Sequence, residues 1–316
     1  MKRFMIYVKG MFILVSSFFL IFVAGCSNSP TSPQSASTSV QSTLLKIAQS
    51  DSSVASFQSN YNEDDAMTIY EDESDTKIFP IKEGQKLRIV SQNFTYTTSG
   101  DTAYGTYVQT FEGTLCVQTT NSNGRDTVIQ KPYSTTVTRN LIFVKVGSDT
   151  NNPLHNWKLV AVSLPEGGTA ISNVKITSIT VYLSNGDTLQ VNNPNSYFIS
   201  RATGKMYERW KDMPFFHAGQ SMTVKVTINS AYADTDFVTI THDADINGLH
   251  RTKQKFNLIS SNTSGNGYVK VYQKTFTTGP WHGYFNAVIN AFSNASVSDS
   301  SSPVEESSWG VPYLVN

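Results

Sequence analysis

Residues 103–120, AYGTYVQTFEGTLCVQTT, alternate with a period of two along their whole length. Tyr107, Phe111, Leu115 and Val117 fall on one face. Thr106, Thr110, Glu112 and Thr114 fall on the other, the pattern of a long strand with one face on a core and one in water. The period holds on both sides of this stretch. Upstream, Leu87 and Ile89 lead into an alternation through Phe94 and Tyr96. Downstream, Asn123-Gly124 is a tight-hairpin signal, and residues 128–129 and 137–146 form the return. Residues 157–164, WKLVAVSL, add a strand before Pro165-Glu166-Gly167-Gly168 breaks the pattern.

Before residue 78 the spacing is helical. Val40, Leu44, Leu45 and Ile47 share one face, and Val54, Phe57 and Tyr61 recur at three and four. A third helix is expected over 62–70, with Glu63, Asp64 and Asp65 in its first turn, where the helix dipole favours acids. Short helices followed by a long antiparallel sheet predict an α+β domain over 42–166. Residues 170–316 read as almost pure β: strands at 174–183, 188–191, 222–228, 237–241, 251–259, 268–276 and 284–292. A crossover or short helix is expected at 200–212. A last strand is WGVPYLV, 309–315, whose Pro312 argues for an edge. Short strands at regular spacing predict a β-sandwich. The fold class is mainly β.

The chain has 316 residues, 24 basic and 24 acidic. That balance, without a basic stripe, gives no footprint for nucleic acid. The first 25 residues have a signal-peptide form: Lys2, Arg3 and Lys9, an apolar run from Met11 to Val23, then the small pair Ala24-Gly25. Thirteen apolar-rich residues fall short of the ~20 that span a bilayer. Removing this leader leaves 21 basic against 24 acidic residues. Residues 26–41, rich in Ser, Thr and Pro, read as a flexible tether.

Val23-Ala24-Gly25-Cys26 resembles the lipobox of bacterial lipoproteins. The resemblance implies that Cys26 becomes the mature N-terminus and carries a diacylglycerol and a further acyl chain such as palmitate, an anchor that holds the chain to the membrane of the cell envelope. Ser27 after the cysteine implies the outer membrane where there are two. RNLIFVKV with NWKLVAVSL resembles the closing strands of the NTF2-like fold, a curved sheet wrapped over helices. GYFNAVINAF resembles the sixth strand of immunoglobulin-like domains, which implies an Ig-like sandwich for 170–316.

No motif for nucleophilic catalysis or for cradling a phosphate is present, so no catalytic residue and no cofactor are assigned. Glu112 is a conceivable base in an NTF2-like cavity, but its alternation partners place it on a solvated face. Asp243, Asp245 and Asn247, followed by Gly248, match the first half of a calcium loop. Position 12 is Gln254, which lacks the charge of the usual bidentate Glu, so the stretch is expected to be a hairpin turn with its acids in solvent and no metal. His242 and His250 flank it and are expected on solvent-facing strand positions. Cys116 reads as a small strand residue. The aromatics Trp210, Trp281 and Trp309 remain as contact candidates for a polysaccharide, a peptide or an envelope protein. The sequence thus predicts a lipid-anchored binding module, with an enzyme in the first domain or an assembly subunit pairing through sheet edges as alternatives.

Overall fold

The computed structural model describes residues 34–63, 67–68, 82–120, 126–183, 186–201, 210–211, 213–244 and 249–316. Two helices come first, α1 (Gln34–Ser50) and α2 (Ser52–Tyr61). A two-residue strand, β1 (Met67–Thr68), precedes three long ones: β2 (Lys82–Ser99), β3 (Thr102–Thr120) and β4 (Asp126–Lys145). Then follow β5 (Trp157–Ser163), β6 (Glu166–Gly168), β7 (Val174–Leu183), β8 (Thr188–Val191), β9 (Phe198–Arg201), β10 (Trp210–Lys211) and β11 (Phe215–Phe216). The chain closes with β12 (Ser221–Ser230), β13 (Phe237–His242), β14 (Thr252–Lys255), β15 (Asn257–Ser264), β16 (Gly267–Thr277), β17 (Gly283–Phe292), α3 (Asn294–Ser298) and β18 (Glu306–Val315). The fold is mainly β, with short helices on large antiparallel sheets.

One sheet runs β1-β2-β3-β4-β6-β18-β17-β13-β14 and the other β15-β16-β12-β7-β8. The first sheet forks at β4, whose outer edge pairs β5 at Leu141–Lys145 and β6 at Thr136–Thr138. Leu164 and Pro165 separate the two: β5 leads on to β9 and β10, and β6 leads to β18. The division expected between 42–166 and 170–316 therefore falls on β6, a strand hydrogen-bonded to β4 on one side and to the C-terminal strand on the other. The sheet is continuous across it.

The alternation of β3 appears as read. Tyr107, Phe111, Leu115 and Val117 are buried, while Glu112 sits across from Arg88 at 3.8 Å on the exposed face. α1 packs Leu44 and Ala48 on the buried face of this sheet with Phe94, Tyr107 and Phe143. α2 lays Phe57 and Tyr61 against Phe111, Val137 and Val288. The Phe57 ring needs Gly310 beneath it: a Cβ there would lie 2.8 Å from the ring and 2.3 Å from Pro165. The second core is a true sandwich, with Ile179, Val181, Val224 and Val226 of one sheet facing Ile240, Ile289, Trp309 and Val311 of the other. Its corner is Phe256, buried between β14 in the first sheet and β15 in the second, so 251–259 is one run that changes sheets.

Three expectations are corrected. α1 begins at Gln34, inside the segment read as tether; no proline follows Pro33 to stop it. No helix continues through Asn62 and Glu63, because β2 recruits both: Asn62 Oδ1 accepts the Leu87 N–H at 3.0 Å, and Glu63 exchanges bonds with the Gln85 backbone. Of the segment 200–212, where a crossover or short helix is expected, Ser200 and Arg201 of β9 pair antiparallel with Trp210 and Lys211 of β10, and residues 202–209 and 212 lie outside the described ones. Pro312 does not mark an edge, since β18 lies between β17 and β6. On its outer side β18 gives the Gly310 N–H to Pro165 and the Leu314 N–H to Pro214, and Pro312 falls between these bonds, where a missing donor costs nothing.

Candidate functional site

The end of the sandwich that carries residues 213–220, 243–244, 249–250 and 278–282 is built on one carboxylate. β13 ends at His242, and Asp243 turns the chain with φ 64°, a left-handed conformation that Asp tolerates better than most residues. The Tyr313 hydroxyl of β18 donates to Asp243 Oδ1 at 2.7 Å and accepts the Asp243 N–H at 3.1 Å. Oδ2 receives the Gly279 N–H at 3.1 Å and lies 3.0 Å from His242 Nδ1. Burial alone would raise this carboxyl, but His242, Tyr313 and Gly279 outweigh it and hold Asp243 below the usual carboxylate range. Burial, with the Asp243 contact adding, pushes the Tyr313 phenol well up.

Thr278 ties in the third segment. Its hydroxyl donates to the His217 carbonyl at 2.8 Å and its N–H to the Gln220 carbonyl at 3.0 Å. Phe215 is held beside Leu314 by parallel pairing of β11 with β18. On this base Trp281 stacks on His250 with ring centres 4.3 Å apart and planes 27° off parallel. Trp281 remains 49% exposed, Phe215 47% and Leu249 57%. Three large apolar side chains are thus left partly exposed at this end of the sandwich.

The structure thus brings together Asp243 and Trp281, two residues singled out on unrelated grounds. It also corrects the reading of each neighbour. Asp243 faces inward, not into solvent, because Tyr313 and Gly279 take its oxygens. His242 is buried between Asp243 and the Phe276 ring, 4.7 Å away. Trp309 is no contact residue: it lies on the face of β18 that looks into the sandwich and is 2% exposed. Trp210 starts the short strand β10. Cys26, Asp245 and Asn247 lie outside the described residues. The hairpin expected there is present in its flanks, since His242 pairs Thr252. Among the described residues no group of three or more His, Cys, Asp or Glu is placed to hold a metal ion, and no helix is long and apolar enough to cross a membrane.

A second polar constellation was not found in the sequence. Lys253 of β14 lies 2.8 Å from Glu63 and 2.5 Å from Glu83 of β2, all three carrying inaccessible side chains. Arg251, two residues earlier, donates to the Ser59, Asn62 and Glu63 carbonyls. Together these contacts bring β14 and β2, far apart in strand order, against the end of α2. Two carboxylates share one ammonium, and burial pushes Glu83 well up despite Lys253. Nearby, the Tyr61 hydroxyl donates to Glu306 at 3.1 Å and lies 2.9 Å from the Thr135 hydroxyl. Burial, with Glu83 and Glu63 adding, raises the Glu306 carboxyl to about 8. Desolvated carboxyls are a frequent mark of acid–base sites. Here the groups are closed off from solvent by the strands and the helix that they join, which makes them a staple between the two halves of the chain. The signal was hidden because the residues come from separate segments of the chain, α2 and its end, β2, β14 and β18.

No protein-family model matches this chain, and no curated protein matches it significantly.

Proposed function

We propose that this protein is a lipid-anchored component of a bacterial cell envelope that binds a protein or peptide partner through the Trp281 end of its sandwich. The observation that carries the reading is Trp281, half exposed yet fixed by His250 on a mount clamped by Asp243 and Tyr313. A large aromatic side chain held in its bound orientation loses little entropy on contact, and such residues dominate interface energetics. Phe215 and Leu249 extend the apolar character, which favours a peptide or protein surface over a charged polymer. The Cys26 anchor rests on the lipobox resemblance, and the Ser/Thr/Pro-rich stretch after it lets the body stand off the membrane. The sealed carboxyl cluster supports binding over catalysis.

Two experiments test the two parts. Metabolic labelling with a fatty-acid analogue is expected to mark the wild type and not Cys26→Ser; equal label in both would remove the anchor. Displayed peptides selected on the immobilised protein should lose at least tenfold in affinity for Trp281→Ala. Peptides that bind both proteins equally would remove the contact surface.

A further inference from the structure

A second surface lies on the outer face of the long sheet, opposite the helices. Strand register places Thr95, Thr106 and Asn140 side by side on β2, β3 and β4. The next row is Thr97, Tyr104 and Ile142. With Phe198 of β9 they line a hollow of about 340 Å³. Four observations describe its chemistry. No charged side chain lines it. Tyr104 is 50% exposed, with its ring available at the surface. Asn140 is locked: its side-chain oxygen accepts from the Thr106 hydroxyl at 3.0 Å, its amide donates to the Asn195 carbonyl at 2.9 Å, and its backbone N–H goes to Ser163 at 2.8 Å. The Thr106 oxygen, having donated, keeps its lone pairs to accept. The platform is also rigid, since β3 is paired over its whole length with β2 and β4.

We infer that this hollow binds a neutral glycan, one sugar ring stacked on Tyr104 and its hydroxyls bonded to the Thr95, Thr97 and Thr106 hydroxyls. A sugar presents hydroxyls that both donate and accept, which hydroxyl and amide side chains match in kind. One face of the ring is C–H-rich and suits an aromatic plane. The lack of charge sets the class. An anionic glycan would find no cation among the lining residues; the charges on this face stand outside it, Glu166 opposite Thr138 and Lys158 opposite Val144. The sheet site is separate from the Trp281 surface and stands or falls without it.

The test is binding of the full chain to an array of neutral and acidic oligosaccharides, followed by titration of the best ligand. At least one neutral oligosaccharide should bind, with acidic ones weaker. Tyr104→Ala should weaken it tenfold or more, Tyr104→Phe should keep most of the affinity, and Thr106→Val should weaken it severalfold. Trp281→Ala should leave it unchanged. Because Tyr104 is half exposed, the melting temperature of Tyr104→Ala should stay near wild type, which separates lost binding from lost folding. The inference is overturned if no neutral oligosaccharide binds, if acidic ones bind better, or if Tyr104→Ala binds as well as wild type.

Discussion

Glu306 holds a proton in the folded protein at neutral pH and gives it up on unfolding. Its carboxyl sits near 8 when buried, against 4.5 for the free side chain. Between those values the folded state binds the proton and the unfolded state does not, so stability is full below about pH 4.5 and falls as pH rises through 8. Glu83 and Asp236, both raised by burial, act in the same direction. Asp243, held low, acts oppositely but only as pH falls below about 4. The melting temperature should therefore drop by several degrees from pH 5 to pH 8, and Glu306→Gln, neutral throughout, should flatten that slope. A melt equally steep in both proteins would count against the assignment. Gly310 offers a steric counterpart. Gly310→Ala pushes a methyl into Phe57 and Pro165, and chemical denaturation should show a loss of about 1–3 kcal/mol. Neither residue announces itself in the sequence. Alternation told correctly that Glu112 faces water, because its neighbours in sequence settle that. It could not tell that Glu306 and Lys253 face inward, since their partners are Tyr61 and Glu63, some 190 to 245 positions away.

Among the elements, α2 is held by residues outside itself. Asp51 caps it, accepting the Ser53 N–H at 2.9 Å, and also pairs with Arg201 of β9. Arg139 of β4 donates to the Ser53 carbonyl at 3.0 Å and lies over the Phe57 ring. Asp51→Ala removes a cap and leaves a partly buried guanidinium with one partner fewer. The expected cost is about 1–2 kcal/mol, read as a lower denaturant midpoint at unchanged slope. The two helices were legible because their apolar spacing is local. The expected third is absent from the described part of 62–70: Asn62 and Glu63 bond to Leu87 and Gln85, and Met67–Thr68 is a strand, although the acids after Asn62 satisfy the dipole rule. Pro312 misled for a related reason: the rule against proline inside a sheet concerns the missing donor, and here β18 has a gap between its partners at that point.

At the scale of the molecule, the break at Pro165 looked like a domain boundary because composition and period change there. The fork in the sheet explains the same change without a gap in pairing: Pro165 ends one neighbour of β4 and β6 begins the next. Calorimetry should show one unfolding transition. A fragment of residues 170–316 made alone should not fold, lacking β6 beside β18 and both carboxylates beside Lys253; a folded fragment would show that the halves are independent. The mainly β class was readable from period two alone. Which strands join, and that the C-terminal strand closes onto the first half, was not, because register is set by contacts made after the chain returns. The Trp281 surface emerges only at this scale, where three loops and the end of β18 converge. Its most direct test is photo-crosslinking in living cells from a reactive residue at position 249. A discrete protein adduct, absent from a probe at the more exposed position 171 and lost in Trp281→Ala, is the predicted result. Adducts that survive Trp281→Ala, or that form as readily from position 171, would contradict it.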